Sequence, residues 1–523
     1  MNILLITFFL PLIGMILLFF FKKEQITLIR NTTLIVSIIT FLTSLGLWFG
    51  FDPNNIEFQF LFSQEWIKSI GAGFRVGIDG MSLLLIMLTT FLMPLVVLVS
   101  FKSIHKREKE YYIMILLLEI ALIGVFSSLD LFLFYIFWEL ILIPMYFIIG
   151  IWGGKDRIYA SIKFFIFTMV GSLFMLIAII WIGMYVGNNI LETGFTTNFI
   201  AIKEVSNQIP FDIEKWLFWA FALSFLIKVP VFPLHTWLPD AHTEAPTPGS
   251  VILAGVLLKM GTYGLIRFNL DLFTQSSITY ASIIGSLAVV GIIYGALCAM
   301  MQKDIKKLVA YSSISHLGFV VLGIFSITVE GIQGAIIQMI NHGLSTGMLF
   351  ICVGCLYERR HTRDISEYGG IAKVMPKFAT FFGLALFASI GLPGLNGFVG
   401  EYATLLGTFI SPIYNNISLA IVATTGVIFA AVYLLWMWQR VMFGEIVNPK
   451  NKELKDINKL ELITFIPIVL FIVWIGIQPF TFMKVSENYS KSLVKKIELI
   501  KSEPVTYDLI KKDLKETKIN YKK

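Results

Sequence analysis

Apolar stretches of about twenty residues, the length that crosses the hydrocarbon of a bilayer, recur along the chain with short polar connections between them. Scanned for this pattern, the sequence predicts about fourteen spans, the first running from Asn2 to Phe21 and the last beginning near Leu462. The longest internal connections, Gly50–Asp79 and Gly187–Lys215, are about thirty residues each and leave no room for a soluble domain. Two spans are interrupted. One reads Leu226-Ile227-Lys228-Val229-Pro230-Val231-Phe232-Pro233-Leu234-His235, and the other Ile390-Gly391-Leu392-Pro393-Gly394-Leu395-Asn396-Gly397, with Glu401 just beyond. Proline removes a backbone donor and breaks the hydrogen-bond ladder, so both are expected to be discontinuous helices. They are the seventh and twelfth in order, and this odd offset inverts one half of the chain relative to the other, the pattern of an inverted-repeat transporter. Two unrelated proline kinks are the plainer alternative.

Composition agrees with lipid as the solvent. Of 523 residues, 57% are hydrophobic and 14% charged, against about 25% charged in a soluble domain. The formal charge of +7 raises nucleic acid as a partner, but the basic residues lie between apolar runs or in the tail, as in a membrane protein with positive loops inside. Lys and Arg number 23 in the odd-numbered connections and 5 in the even-numbered ones, counting Arg267 among the latter. This predicts odd connections in the cytoplasm and both termini outside. The tail beyond Phe482, with 11 Lys, runs against that count; it is expected to be a solvated or lipid-surface segment. The Asn2–Phe21 stretch has Lys22 and Lys23 after it and no basic residue before it, so it reads as a retained span rather than a signal peptide. Three cysteines make no disulfide framework, and Cys352-Val-Gly-Cys355 has redox spacing inside an apolar helix. Walker, dinucleotide, haem and iron–sulfur motifs are absent from the sequence. The chain is therefore not expected to bind NADH or carry electrons by itself, and its driving energy must come from an ion gradient or partner chains.

Four charges fall within apolar spans or at their breaks: Glu139, Lys228, Lys259 and Glu401. Each would cost roughly 2.5–3.5 kcal/mol at a helix centre facing lipid, about 10 kcal/mol together, so they must face one another, the protein interior or water. Lys228, just before a break, is the natural partner of Glu139. A fixed ion pair joining two helices is the structural alternative, but a buried pair is a poor source of stability because desolvation offsets its attraction. Lys259 is centred in an apolar span with no charge close by in sequence, and a lysine buried without a counter-charge releases its proton readily, as a carrier must. His316 and His342 occupy the tenth and eleventh spans. Imidazole donates and accepts protons near neutral pH, so these are either relays or hydrogen-bonded packing residues. His235 and His242 flank Asp240 in a proline-bounded loop. The spacing matches no strong metal pattern, and His235 is expected to connect the path to the cytoplasm. Glu119 is placed to assist Glu139, and Asp130 to cap the fifth span.

The stretch FWELILIPMYF around Glu139, LIKVPVFPLHTWLPDAHTEAPTPGSVILAGVLLKMGTYGL around Lys228 and Lys259, YSSISHLGF around His316, and GLPGLNGFVGE ending at Glu401 resemble the antiporter-like subunits of respiratory complex I, the proton-pumping NADH:quinone oxidoreductase. The similarity runs from about Gly77 to Phe443. It implies an all-α polytopic membrane protein of about fourteen helices, with two inverted five-helix repeats and discontinuous helices 7 and 12. The matching division is residues 1–110 for helices 1–3, 111–270 for the first repeat, 271–445 for the second, inverted repeat, and 446–523 for the last helix and Lys-rich tail. Sister subunits typically carry Lys in the broken twelfth helix, whereas Glu401 stands here, as in the M-type branch called chain 4 in mitochondria.

By that resemblance, Glu139 and Lys228 are the inlet pair, Lys259 the central carrier, His235, His316 and His342 the relay, and Glu401 the way to the far side. No cofactor is expected on this chain; NADH, FMN, iron–sulfur clusters and quinone are implied in partner subunits. The implied partners are the L-like and N-like chains, the quinone-site subunits and the lipid bilayer, with no nucleic acid. The implied location is an energy-transducing membrane, a bacterial inner membrane ahead of the mitochondrial one. A subunit of a multisubunit Na⁺/H⁺ antiporter is the alternative, and Glu401 weighs against it. A structural scaffold would leave four costly buried charges unexplained.

Overall fold

The computed structural model describes residues 2–67, 71–414, 417–446 and 448–502. Among them, twelve helices are long and apolar enough to cross a membrane. They are arranged by burial. The stretches Thr247–Leu270 and Val329–Arg360 form the centre, whereas Ile3–Phe20, Arg157–Asn189 and Ser418–Met442 form the rim. The rim turns large apolar side chains outward, as in Ile177, Ile428 and Leu470, which fits lipid rather than water on that surface. The fold is that of an α-helical membrane protein, as the sequence predicts.

Local chemistry explains the irregularities. Helix Phe211–Lys228 stops ahead of Pro230 and Pro233, and the chain turns helical again at Trp237–Glu244. The Trp237 indole donates to the Ile227 carbonyl at 2.9 Å, occupying an acceptor at the helix end. Helix Pro376–Ile390 ends at Gly391, whose φ of +83° is open to glycine at no steric cost, and Asn396–Phe409 follows. A third discontinuity lies beside Glu139. Leu131–Leu140 and Leu142–Trp152 are separate helices because Pro144 has no N–H to offer the carbonyl of Leu140. In the central helix, π-helical turns at Leu253–Leu257 and Leu265–Leu270 flank a short α-helical stretch, Leu258–Gly264; such widened turns concentrate at functional sites.

The two faces of the bundle differ. On the face that carries Asn2, the Gly50–Asp79 connection forms an antiparallel hairpin, Gln59–Ile67 with Ala72–Ile78, and the Asn2 side chain donates to the Phe60 carbonyl at 2.7 Å. Asp130 caps its helix by accepting from the Phe132 and Leu133 amides, as expected, and is also bonded to Arg75 and Thr197. On the opposite face the loop charges are paired: Glu461 takes both Lys102 and Arg359, and Arg363 meets Asp304.

The expectation for the tail needs correction. Phe480–Ser502 is a helix packed on the Asn2 face, with Phe482, Val485, Tyr489, Leu493 and Ile497 buried. Their three- and four-residue spacing makes an apolar stripe, and most of the lysines occupy the remaining surface. The Asn488 side chain donates to the Pro53 carbonyl at 2.8 Å. The tail helix therefore shares the face of the N-terminus, against its own charge. Residues 503–523, which hold the remaining lysines of the tail, lie outside the described residues.

Candidate proton-transfer site

The central helix brings Lys259 into the core with no exposed surface. Its Nζ reaches back along the widened turn to the carbonyl of Ala254 and lies 2.8 Å from Nδ1 of His342. Lys259 thus has a partner that its own span does not reveal, supplied by helix Val329–Arg360. The partner is an imidazole, a group able to exchange a proton without placing a permanent negative charge beside the ammonium. Nε2 of His342 is buried without a hydrogen-bond partner among the described residues. Beyond it stands His316, with ring centroids 6.0 Å apart and planes at 57°.

His316 belongs to helix Ile305–Phe325 and forms the second half of the row. Its Nδ1 is 2.8 Å from Oε1 of Glu401, and the Tyr433 hydroxyl lies 3.3 Å from its Nε2. Glu401 Oε1 also accepts from the Gln338 amide at 3.2 Å. The break before Glu401 is clasped to the neighbouring helix: the Asn341 side chain donates to the Asn396 carbonyl at 2.7 Å, and the Asn396 side chain to the Asn341 carbonyl at 3.3 Å. Gly400 lets Gln338 approach, since a Cβ there would stand 2.2 Å from the Gln338 Oε1.

Glu139 and Lys228 sit on facing helices but form no ion pair within 4 Å. The Lys228 ammonium lies instead over two rings, 5.5 Å from the centroid of Trp138 and 5.3 Å from that of Phe164, the placement of a cation–π contact. Nζ of Lys228 and Oε1 of Glu139 are buried without hydrogen-bond partners among the described residues. The Tyr135 and Ser172 hydroxyls are beside the Glu139 carboxylate. His235 is apart from all of these, between the rings of Phe232 and Tyr294 at 5.7 and 5.1 Å. Glu119 is fully buried with both oxygens unpartnered among the described residues, and it shares no hydrogen bond with Glu139. Asp240 pairs with Lys163 at 2.7 Å. His242 stacks on Phe350 at 4.8 Å with neither ring nitrogen partnered among the described residues. No three His, Cys, Asp or Glu side chains among the described residues converge as metal ligands would.

Sequence reasoning missed Gln338 and Tyr433, which bond to the His316–Glu401 pair, and Asn341 and Asn396, which clasp the break before Glu401. A signal was present for one of them: Gln338 lies four residues before His342 in an apolar helix, on the face that carries it. Arg267 was also misjudged. Counted as a loop charge, it is fully buried in the central helix, eight residues beyond Lys259.

The family described as NADH:quinone oxidoreductase/Mrp antiporter, TM, matches residues 128–428, and that described as NADH-ubiquinone oxidoreductase chain 4, amino terminus, matches residues 5–125. The NADH-quinone oxidoreductase subunit M of Rickettsia prowazekii (strain Madrid E) is 45% identical over 489 residues, covering 93% of this chain and 97% of its own length. A chain of the respiratory complex I of Thermus thermophilus superposes with a TM-score of 0.84 at 30% identity, covering 95% of this chain and all of that one. A chain of the Mrp complex from Dietzia superposes with a TM-score of 0.80 at 18% identity, covering 96% and 98%, a likeness of fold alone. With a buried row of titratable side chains on this fold and matches that span nearly the whole length, the chain belongs to the subunit M, or chain 4, family of NADH:quinone oxidoreductase.

Proposed function

We propose that the chain moves protons through its core from Glu139 and Lys228 to Lys259 and His342, and on through His316 to Glu401, as the M-type subunit of NADH:quinone oxidoreductase. Membership in this family makes it a proton-translocating membrane subunit of an enzyme complex. The observation that carries the assignment of residues is the pair of 2.8 Å contacts, Lys259–His342 and His316–Glu401, placed end to end in a buried core. Each joins a group that binds a proton to one that can take it. With the imidazole centroids 6.0 Å apart and no direct hydrogen bond between the rings, the step from His342 to His316 needs a mediating water. Lys228, resting on aromatic rings with no locked carboxylate, is free to change its interaction with Glu139. A change there alters the field at Lys259 and so its hold on a proton. His235 serves as a connection to the face opposite Asn2.

In this reading the two interrupted elements complete fourteen crossings. Residues 111–270 and 271–445 are inverted five-helix units, flanked by residues 1–110 and 446–523. The odd-numbered connections lie in the cytoplasm. NADH, FMN, iron–sulfur clusters and quinone are held by other subunits, and the L-like and N-like chains are membrane neighbours in a bacterial inner membrane. The Na⁺/H⁺ antiporter alternative has less support, since the solved Mrp chain is 18% identical whereas the subunit M relative is 45% identical over 93% of this chain. Purification of the native assembly through a tag on this chain, with mass-spectrometric identification of what accompanies it, tests the reading. NADH-oxidising and quinone-site chains are expected; an antiporter set without them replaces it.

A further inference from the structure

The Lys259 helix ends in a second buried charge that the proton row does not use. Arg267 is eight residues further on, about 12 Å along the axis at 1.5 Å per residue. It is 1% exposed, and its Nη2 lies 2.7 Å from Oδ2 of Asp79. Nε donates to the Tyr263 hydroxyl at 3.2 Å and Nη2 to the Ser82 hydroxyl at 3.2 Å, while Nη1 has no partner among the described residues. Four rings surround the guanidinium: Phe58, Phe199, Tyr263 and Tyr489, with centroids 5.1 to 6.0 Å from Cζ. They come from four separate parts of the chain, and the last belongs to the tail helix.

The tail helix closes this cage from the Asn2 face. Its backbone touches the start of helix Gly80–Ser103 so closely that a Cβ on Gly80 would stand 1.9 Å from the Val485 carbonyl oxygen. Lys496 donates to the backbone carbonyl of Asp271 at 2.6 Å, and the Asp271 carboxylate is shared between Lys496 at 3.3 Å and Lys203 at 2.8 Å. Between Lys259 and the Asn2 face there is thus a guanidinium held by Asp79, walled by aromatic rings and covered by a fastened helix. A guanidinium does not give up its proton and so cannot relay one, and a fixed cation opposes the passage of protons and other cations; Asp79 offsets part of that charge, and the aromatic walls limit the water that would screen the rest.

We infer that Arg267, caged by these rings and closed by Tyr489 of the tail helix, is a proton-tight plug at the Asn2-face end of the Lys259 helix. It bars protons from short-circuiting between Lys259 and that face and leaves the row through His342, His316 and Glu401 as the open route. The inference rests on the proposed role of Lys259, but a passive leak reads the plug without any pumping.

The test uses inverted membrane vesicles containing the intact assembled complex. Dissipation of an imposed pH gradient is followed with a fluorescent probe while respiration is inhibited, and the ratio of protons taken up to NADH oxidised is measured in parallel. Arg267→Gln is expected to raise the leak severalfold and lower the ratio while NADH oxidation continues. Arg267→Lys, which keeps the charge, stays close to the parent. Tyr489→Ala, on a surface helix and so the safer variant for assembly, leaks, whereas Tyr489→Phe does not. Combining Lys259→Met with the leaking variant abolishes the leak. Parental tightness in assembled Arg267→Gln or, if that variant fails to assemble, in Tyr489→Ala overturns the plug. Equal leaks from Arg267→Lys and Arg267→Gln overturn its electrostatic basis. A leak that survives Lys259→Met overturns the route. Failure of the proton row shows elsewhere, as normal pumping by Glu401→Gln with the plug still tight.

Discussion

Replacing Glu401 by Gln keeps the shape of the side chain and removes its charge, which isolates what the carboxylate does for His316. The two groups are 2.8 Å apart and buried. At an effective dielectric of about 20, a carboxylate and an imidazolium at that distance attract by roughly 6 kcal/mol before desolvation, and the net worth of such a charge-assisted bond is about 1.5–3 kcal/mol. At about 1.4 kcal/mol per factor of ten, losing it lowers the population of the joined His316–Glu401 arrangement by roughly 10- to 150-fold. If that state lies on the pumping path, NADH-driven proton uptake in inverted vesicles, normalised to assembled complex, should fall to about a tenth or less. Glu401→Asp, whose carboxylate is withdrawn by about one 1.5 Å bond, should lie between Gln and the parent. Glu401→Lys is the variant on which sequence and structure part. Sequence alone favours it over Gln because it keeps a titratable group. With His316 in contact, it replaces the acceptor that His316 meets at 2.8 Å by a cation and is expected to fall below Gln. Pumping by Glu401→Gln at the parental rate would refute the assignment of Glu401 as an obligatory carrier.

Glu139→Ala should abolish most pumping while the complex remains assembled, because Lys228 is supported by the Trp138 and Phe164 rings and not by a contact ion pair; Glu139→Asp should retain part of the activity, and near-normal pumping by Glu139→Ala would reduce the residue to packing. Reporter fusions after Lys109 and Lys307 should read cytoplasmic, and one near Asn198 should read external. A label at Lys501 should match Asn198, since the tail helix packs on that face; a cytoplasmic signal at Lys501 would contradict the packing of the tail helix.

Much of the membrane architecture follows from one-dimensional information. Length and hydropathy alone decide that stretches such as Gly80–Ser103 and Ser418–Met442 cross a bilayer, because lipid offers backbone groups no partner and any spanning segment must be helical and apolar. Pro230, Pro233 and Pro393 announce the breaks, since a missing N–H is a property of the residue itself. The expense of charge in lipid singles out Glu139, Lys228, Lys259 and Glu401 before any coordinates exist. What a sequence cannot state is which buried group meets which. Lys259 and His342 are 83 residues apart and His316 and Glu401 are 85 apart, so their contacts depend on how the central helices rotate and pack. The same holds for Lys228, whose nearest support is a pair of rings, and for Arg267, which reads as a loop charge until the tail helix is seen to cover it. The tail itself was obscured by composition: its lysines argue for solvent, while the buried stripe from Phe482 to Ile497 becomes decisive only when there is a surface to receive it. Local rules set helices and breaks; pairings and covers are set by the three-dimensional packing of residues remote in sequence.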